Sequence, residues 1–197
     1  MVEEGVFASQ NCAQNAKSRL TDPWRDFGIK KSPFVDGFNF AHRARLAHFQ
    51  DALDALNRFA SSTESFAILS GQTGVGKTIM LNSFMAETNT IAFDVHVHAG
   101  MTGAMLITHL LAKIGCNIPT DGLADAALAS ILRDEIAKQS QSVIWLLDGA
   151  DKLNTDSLSV LLNILTRQPN NLLKVLFIGR HACYERVIKQ LGLMGTS

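Results

Sequence analysis

Residues 71–78 have the sequence Gly71-Gln72-Thr73-Gly74-Val75-Gly76-Lys77-Thr78, which fits the pattern G-x-x-x-x-G-K-[ST] at every fixed position. Glycines in such a loop let the backbone turn successive N–H groups inward, toward the oxygens of a phosphate chain. The same pattern places a lysine, here Lys77, against the β- and γ-phosphates and a hydroxyl, here that of Thr78, against Mg²⁺. We therefore predict that all eight residues bind a nucleotide and that Thr78 is also a metal ligand.

The segments on either side of this loop support the prediction. Residues 66–69 form a short apolar run that is typical of a buried strand, and residues 79–87 have the pattern of a helix. A helix that begins at the loop directs the positive end of its dipole toward the phosphates. The alternative is a chance glycine-rich turn, and the flanking strand and helix argue against it.

The composition restricts the class of protein. The chain has 197 residues, of which 47% are hydrophobic and 18% charged, so it is long and apolar enough to bury a core. Lysine plus arginine and aspartate plus glutamate number 18 each, so no overall positive charge indicates nucleic acid binding. The three cysteines are far apart, which favours reduced thiols over a disulfide scaffold or a zinc site.

Hydropathy gives no sign of membrane insertion. No run approaches the roughly 18 consecutive apolar residues that a membrane helix needs, and the first residues lack the pattern of an export signal. We therefore expect no membrane span and a cytoplasmic protein.

Strand and helix patterns alternate along the rest of the chain. Further strands are predicted at residues 91–97, 143–147 and 173–178. Helices are predicted at residues 46–59, 107–114, 128–136, 158–165 and 182–191, with Thr155 as the N-cap of the fourth. This alternation predicts an α/β fold with a mostly parallel sheet between helices.

The first residues differ from this pattern. Residues 1–31 are rich in polar side chains and show little periodicity, so we expect a loosely ordered arm, with Trp24, Phe27 and Ile29 as a possible apolar anchor. Residues 32–197 are predicted to form the nucleotide-binding domain.

A second motif follows the apolar strand at residues 143–147, where the chain continues as Asp148-Gly149-Ala150-Asp151. A carboxylate at the carboxyl end of a buried parallel strand lies where ligands bind in open α/β sheets, and in phosphate-loop proteins it helps to hold Mg²⁺. Asp148 is therefore predicted to be a metal ligand. The alternative is a carboxylate that only caps the following turn.

Together with Ser32-Pro33-Phe34 and Val175-Leu176-Phe177-Ile178-Gly179, these motifs resemble the AAA+ ATPases of the general-secretion-pathway protein A type, over about residues 32–190. The resemblance implies a P-loop NTPase fold of the AAA+/ASCE type, a three-layer sandwich, with ATP and Mg²⁺ as cofactors. It also implies a partner in a type II secretion or pilus-assembly complex, and hence attachment to the inner membrane through that partner.

The sequence departs from this family at three places. Gly149 stands where the family usually has a catalytic glutamate, so weak ATP hydrolysis is expected unless Asp151 reaches back to act as the base. Arg180 stands where the family has a small polar sensor, and it is predicted to contact the γ-phosphate, to act in a neighbouring subunit, or to be a surface residue. Arg186 is a second candidate to act in a neighbouring subunit. The chain also stops before the fifth strand and the C-terminal lid, which would leave the strand before the phosphate loop at an edge of the sheet.

Asp94, His96 and His98 alternate along one predicted strand, so their side chains share one face. The two interpretations are a metal site and a strand face that is solvated or lines the nucleotide site. We favour the second, because three ligands in fixed geometry are not evident when Asp94 lies two pleats away.

Three functional hypotheses follow. The first is a secretion or pilus-assembly ATPase, in which nucleotide-dependent self-association completes the site. The second is an adaptor that binds ATP and hydrolyses little. The third is a DNA-linked AAA+ protein of the transposition or replication type, against which the balanced charge argues.

Overall fold

The computed structural model describes residues 47–116, 119, 122–168 and 172–194. All of them belong to one compact unit, Ala44–Ser197. The predicted arm at residues 1–31, its anchor of Trp24, Phe27 and Ile29, and the motif Ser32-Pro33-Phe34 lie outside the described residues.

Strands and helices alternate as the sequence predicts. The strands are β1 (Phe66–Ser70), β2 (Ile91–His96), β3 (Val143–Asp148) and β4 (Leu173–Gly179). The helices are α1 (Ala47–Ser61), α2 (Lys77–Glu87), α3 (Gly103–Lys113), α4 (Asp125–Ala137), α5 (Thr155–Thr166) and α6 (His181–Met194), and a 3₁₀ turn spans Ala150–Lys152. None of the helices in the described part of the chain is long and apolar enough to cross a membrane.

The four strands form one parallel sheet in the order β1-β4-β3-β2. The predicted α/β fold with a parallel sheet is thereby confirmed. The register places Ser70 beside Gly179 and His96 beside Asp148, so the carboxyl ends of all four strands meet at one edge of the sheet. Among the described strands, β1 pairs with β4 alone.

Helices cover both faces of this sheet. On β3, Trp145 and Leu147 pack toward a core formed with α3, α4, α5 and α6, and Ile144 and Leu146 pack toward a second core formed with α1 and α2. Successive side chains of a strand point to opposite faces, so a continuous apolar run is the pattern that two covered faces require. The result is a three-layer arrangement with β3 and β4 at its centre.

Lys174 is a charged residue inside this core, with only 3% of its surface exposed. Its Nζ donates hydrogen bonds to the carbonyl oxygens of Phe59 at 3.0 Å and Ala60 at 2.8 Å, and to that of Ser62. These carbonyls lie at the C-terminal end of α1, where the helix dipole favours a cation. Burial lowers the pKa of Lys174. The ammonium group thus fixes the end of α1 to the middle of the sheet.

The prediction that Thr155 caps α5 is wrong. The N-cap is Asn154, whose Oδ1 accepts a hydrogen bond from the N–H of Ser157 at 2.7 Å. Asn154 has the extended backbone that an N-cap requires, and Thr155 is already the first residue of the helix. Both residue types favour this position, so the sequence alone did not distinguish them.

Candidate functional site

The loop from Gly71 to Gly76 joins β1 to α2 at the carboxyl edge of the sheet. Gly74 and Gly76 have φ of 87° and 91°, in the left-handed region that glycine adopts without strain. The N–H of Gly71 donates a hydrogen bond to the carbonyl of Gly179 at 3.2 Å, so the base of the loop is attached to the end of β4. Local backbone conformation and one contact with the neighbouring strand therefore shape the loop.

Lys77 folds back over this loop. Its Nζ donates hydrogen bonds to the carbonyl oxygens of Gly71 at 2.9 Å and Gln72 at 2.8 Å. The ammonium group is thereby held at the mouth of the loop, at the N-terminal end of α2, where a helix favours an anion. A phosphate chain in the loop would meet both the positive charge of Lys77 and the first N–H groups of the helix.

Thr78 and Asp148 come together although 70 residues separate them. The hydroxyl of Thr78 lies 3.4 Å from Oδ2 of the Asp148 carboxylate. A hydroxyl and a carboxylate are the hard oxygen ligands that Mg²⁺ prefers, and Mg²⁺ in nucleotide sites takes its other ligands from phosphates and water. This pair of residues therefore fits the predicted metal ligands.

Comparison with known proteins agrees with this geometry. The AAA domain family matches residues 58–187, about two thirds of the chain. The chain belongs to the AAA domain family. No curated protein sequence matches it significantly.

Several solved structures resemble this AAA domain. Cdc6p from Pyrobaculum aerophilum gives a TM-score of 0.62 at 19% identity, over 78% of this chain and 45% of that one. The ORC2 protein of Aeropyrum pernix in ADPNP-ADP complexes gives 0.59 at 14% identity, over 77% and 46%. The ORC1 protein of Aeropyrum pernix in complex with DNA gives 0.53 at 20% identity, over 74% and 44%.

These similarities show the fold, which is that of an AAA+ P-loop domain. The chain spans less than half the length of each of the three proteins. The family match and these three structures do not identify the general-secretion-pathway protein A type, which the sequence resembles.

Gly149 directly follows Asp148, the candidate metal ligand of the AAA domain, and has a φ of 82°. A Cβ atom at this position would lie 3.1 Å from the carbonyl oxygen of Val97 and 3.4 Å from Nζ of Lys152. The backbone is also fixed here, because the N–H of Gly149 donates to the carbonyl of Ile178 at 2.9 Å. The turn thus has the conformation of a glycine, and any side chain there, glutamate included, would be strained.

Asp151 and Arg180, the two predicted catalytic residues, contact each other. Nε and NH2 of Arg180 donate to Oδ2 of Asp151 at 3.0 and 2.8 Å. The carboxylate of Asp151 is 8% exposed, and the guanidinium side chain of Arg180 is 66% exposed. Burial alone would raise the pKa of Asp151, but the hydrogen bonds and the charge of Arg180 outweigh it and lower that pKa.

This pairing restricts both predicted roles. An aspartate with a lowered pKa is a weak proton acceptor, so Asp151 has to leave Arg180 before it can act as a base. In the same way, Arg180 has to leave Asp151 before it contacts a phosphate or a neighbouring subunit. The structure brings the two residues together and places neither of them on Thr78 or Asp148.

Arg186 takes part in the same arrangement, and the sequence did not indicate this role. Its guanidinium donates to the carbonyl oxygen of Asp151 at 2.9 Å and to that of Leu153. Helix α6 is thereby attached to the 3₁₀ turn that follows Asp148. Nearby Cys183 is buried, and burial raises the pKa of its thiol to about 11, so it does not supply a nucleophilic thiolate at neutral pH.

The residues Asp94, His96 and His98 do not converge. Asp94 Oδ1 lies 3.9 Å from Nζ of Lys113, whereas His96 Nδ1 lies 3.9 Å from Oδ2 of Asp148. No group of three histidine, cysteine, aspartate or glutamate side chains able to hold a metal is present in the described part of the chain. The interpretation as a strand face that lines the site therefore fits His96.

Proposed function

We propose that this AAA domain binds ATP together with Mg²⁺ and acts as a switch whose nucleotide state controls a partner. The observation that carries the proposal is the approach of Thr78 Oγ1 to Asp148 Oδ2 at 3.4 Å, beside a loop over which Lys77 is held. When bound, Mg²⁺ would neutralise charge on the β- and γ-phosphates. Thr78 and Asp148 would hold the metal, and the backbone N–H groups of the loop would hold the phosphates.

We further propose that hydrolysis is slow. Gly149 offers no side chain to activate water, and the carboxylate of Asp151 is engaged by Arg180. A positioned general base contributes about 10²–10⁴-fold to a rate, so its loss leaves binding intact and turnover weak. This behaviour corresponds to the adaptor hypothesis more closely than to an energy-coupling ATPase.

Thermal melting with and without Mg-ATP tests the binding step. A ligand that binds only the folded state adds RT ln(1 + [L]/Kd), about 2.7 kcal/mol at a concentration of about 100 times Kd. We expect Mg-ATP to raise the melting temperature, and Lys77→Ala to remove most of that increase. The exposed Lys189 on α6 gives a matched control, because Lys189→Ala removes a lysine away from the loop.

The melting temperature of each variant without nucleotide separates lost binding from lost folding. If the folded, unmodified protein shows no change in melting temperature at millimolar Mg-ATP, the proposal of nucleotide binding is wrong.

Single-turnover hydrolysis tests the slow step. We expect bound ATP to persist well beyond the roughly 0.1 s that a typical enzyme turnover takes. Ordinary rates in the unmodified protein, abolished by Asp151→Asn, would instead identify Asp151 as the working base. That result would favour the hypothesis of an energy-coupling ATPase.

Self-association is part of the proposal. Arg180 is 66% exposed, so it is accessible to a neighbouring subunit once its pairing with Asp151 opens. A guanidinium supplied across an interface stabilises the charge of phosphoryl transfer. We expect ATP to favour an oligomer in sedimentation experiments. A monomer in every nucleotide state would exclude this arrangement.

A DNA-linked role is the second candidate, since ORC1 of Aeropyrum pernix, which has a similar fold, was solved in complex with DNA. The balanced charge of 18 basic and 18 acidic residues argues for weak electrostatic attraction to DNA. Retention on DNA that falls steeply with salt concentration would support this candidate, and no retention at low salt would exclude it.

The secretion or pilus-assembly role, with a cytoplasmic protein held at the inner membrane by a partner, rests on the sequence resemblance alone.

A further inference from the structure

His96 is the last residue of β2, and in the sheet it lies directly beside Asp148, the last residue of β3. Both side chains therefore start from the carboxyl edge of the sheet, at adjacent positions of parallel strands. The imidazole Nδ1 of His96 lies 3.9 Å from Oδ2 of the Asp148 carboxylate. The same Oδ2 lies 3.4 Å from the hydroxyl of Thr78, so this oxygen has His96 and Thr78 as neighbours.

His96 is the more exposed of the two side chains. His96 is 73% exposed and Asp148 is 24% exposed. His96 also borders an open cleft of about 570 Å³, which His98, Met105 and His109 line as well. A distance of 3.9 Å exceeds the roughly 3 Å of a hydrogen bond, so a hydrogen bond between the two side chains requires the exposed imidazole to turn toward the carboxylate.

Other groups near Asp148 are unsuitable for this contact. Gly149 has no side chain, and Asp151 is paired with Arg180. The N–H of Val97 donates to the backbone carbonyl of Asp148 at 2.7 Å, so it does not contact the carboxylate. Within the described ranges, Thr78 and His96 are the residues whose side chains the structure brings to the Asp148 carboxylate.

We propose that His96 is an outer-shell residue of the Mg²⁺ site, which orients the Asp148 carboxylate through an imidazole N–H. Metal-binding carboxylates are themselves hydrogen-bonded, and loss of such an outer partner typically weakens metal binding about 10–100-fold. The role of His96 is positioning, because Thr78, Asp148 and the phosphates supply the ligands. This inference rests on the proposed binding of Mg²⁺ and nucleotide.

The test is the Mg²⁺ dependence of nucleotide binding, measured by titrating Mg²⁺ into protein that contains a fluorescent ATP analogue that is not hydrolysed. We expect His96→Ala to weaken the apparent Mg²⁺ affinity about 10–100-fold. Binding of the analogue in excess EDTA should be unchanged, because the proposed role of His96 acts only through the bound metal. His96→Asn should restore most of the affinity, because the asparagine amide places an N–H donor near the position of Nδ1.

His98→Ala is the matched control, since His98 borders the same cleft and its Nδ1 lies 3.2 Å from the carbonyl oxygen of Ala99. We expect this variant to keep the affinity of the unmodified protein. Melting temperatures without ligand check that each variant is folded.

Three results would overturn the inference. An apparent Mg²⁺ affinity of His96→Ala within about twofold of the unmodified protein removes the predicted effect, which is at least about tenfold. An equal loss in His98→Ala would assign the effect to the cleft as a whole. If the unmodified protein binds nucleotide without any Mg²⁺ dependence, or does not bind it, the metal-site proposal fails along with this one.

Discussion

Replacing Gly149 by alanine should destabilise the AAA domain. Its φ of 82° is in the left-handed region, where the backbone conformation of a residue with a side chain costs about 1–2 kcal/mol of free energy. The new Cβ would lie 3.1 Å from the carbonyl oxygen of Val97, which adds a steric cost. Alanine also lowers the conformational entropy of the unfolded chain, which offsets about 0.4–1 kcal/mol of this destabilisation. We therefore expect a net loss of about 1–2 kcal/mol in the free energy of unfolding.

Urea unfolding, followed by circular dichroism, measures this loss. Gly100→Ala is the matched control, because Gly100 has φ of 88° but nothing lies within 4 Å of a Cβ placed there. The difference between the two variants reports the contact with Val97 separately from the backbone strain. If Gly149→Ala is as stable as the unmodified protein, or more stable, the reasoning about this turn is refuted.

Gly149→Glu extends the test to catalysis. It carries the same backbone cost and restores a carboxylate directly after Asp148, so hydrolysis should become faster with little change in ATP affinity. The rate has to be measured well below the melting temperature of the variant. A folded Gly149→Glu variant with unchanged hydrolysis would mean that the missing glutamate does not limit the reaction.

Three further changes test the fold around the site. Lys174→Met removes the donor to three carbonyls at the end of α1, and it should lower the free energy of unfolding, measured in urea, by about 2 kcal/mol. An unchanged free energy of unfolding would mean that water replaces the ammonium group. The Asp151–Arg180 pair should stabilise the fold at pH values above the pKa that Asp151 has in the unfolded chain. This stabilisation should be lost as the pH falls through the lowered pKa of the folded state. Asp151→Asn should therefore lower the melting temperature at pH 7 and leave it nearly unchanged near pH 2. Because Arg180 is largely exposed, this contribution should stay below about 1 kcal/mol. Asn154→Ala should cost about 1 kcal/mol as a lost N-cap, whereas Thr155→Ala should cost much less because Asn154 is the cap.

The phosphate loop and the alternation of strands and helices could be predicted from the sequence because both are local. The loop is a fixed spacing of glycines and one lysine, and a central strand such as β3 is apolar from Val143 to Leu147 because both of its faces are covered. The place of Asp148 at the carboxyl end of this strand was predictable for the same reason, and its role as a metal ligand stays a prediction.

The contacts of Lys174 and Arg180 could not be predicted because they depend on tertiary structure. Lys174 lies in an apolar run, and its partners, more than a hundred residues away, are backbone carbonyls that leave no mark on the sequence. Asp151 and Arg180 meet only because the turn after β3 lies beside the end of β4. Sequence reasoning proposed catalytic roles for both residues without a means to detect that they pair.

Among the described strands β1 lies at an edge of the sheet, and this position has a consequence for the proposed nucleotide binding. The N–H of Val175 donates to the carbonyl of Ser65, and the N–H of Gly71 donates to the carbonyl of Gly179. Along a parallel strand, the N–H and C=O groups of successive residues point to opposite sides. The backbone groups of Phe66, Ile68 and Ser70 therefore point away from β4. A strand added at this edge would order the segment that runs directly into the phosphate loop. Ordering by one ligand reduces the conformational entropy that the next one has to remove, and such coupling is reciprocal. Any molecule that extends the sheet at β1 would then bind more tightly when nucleotide is bound, and would in turn raise the affinity of the domain for that nucleotide.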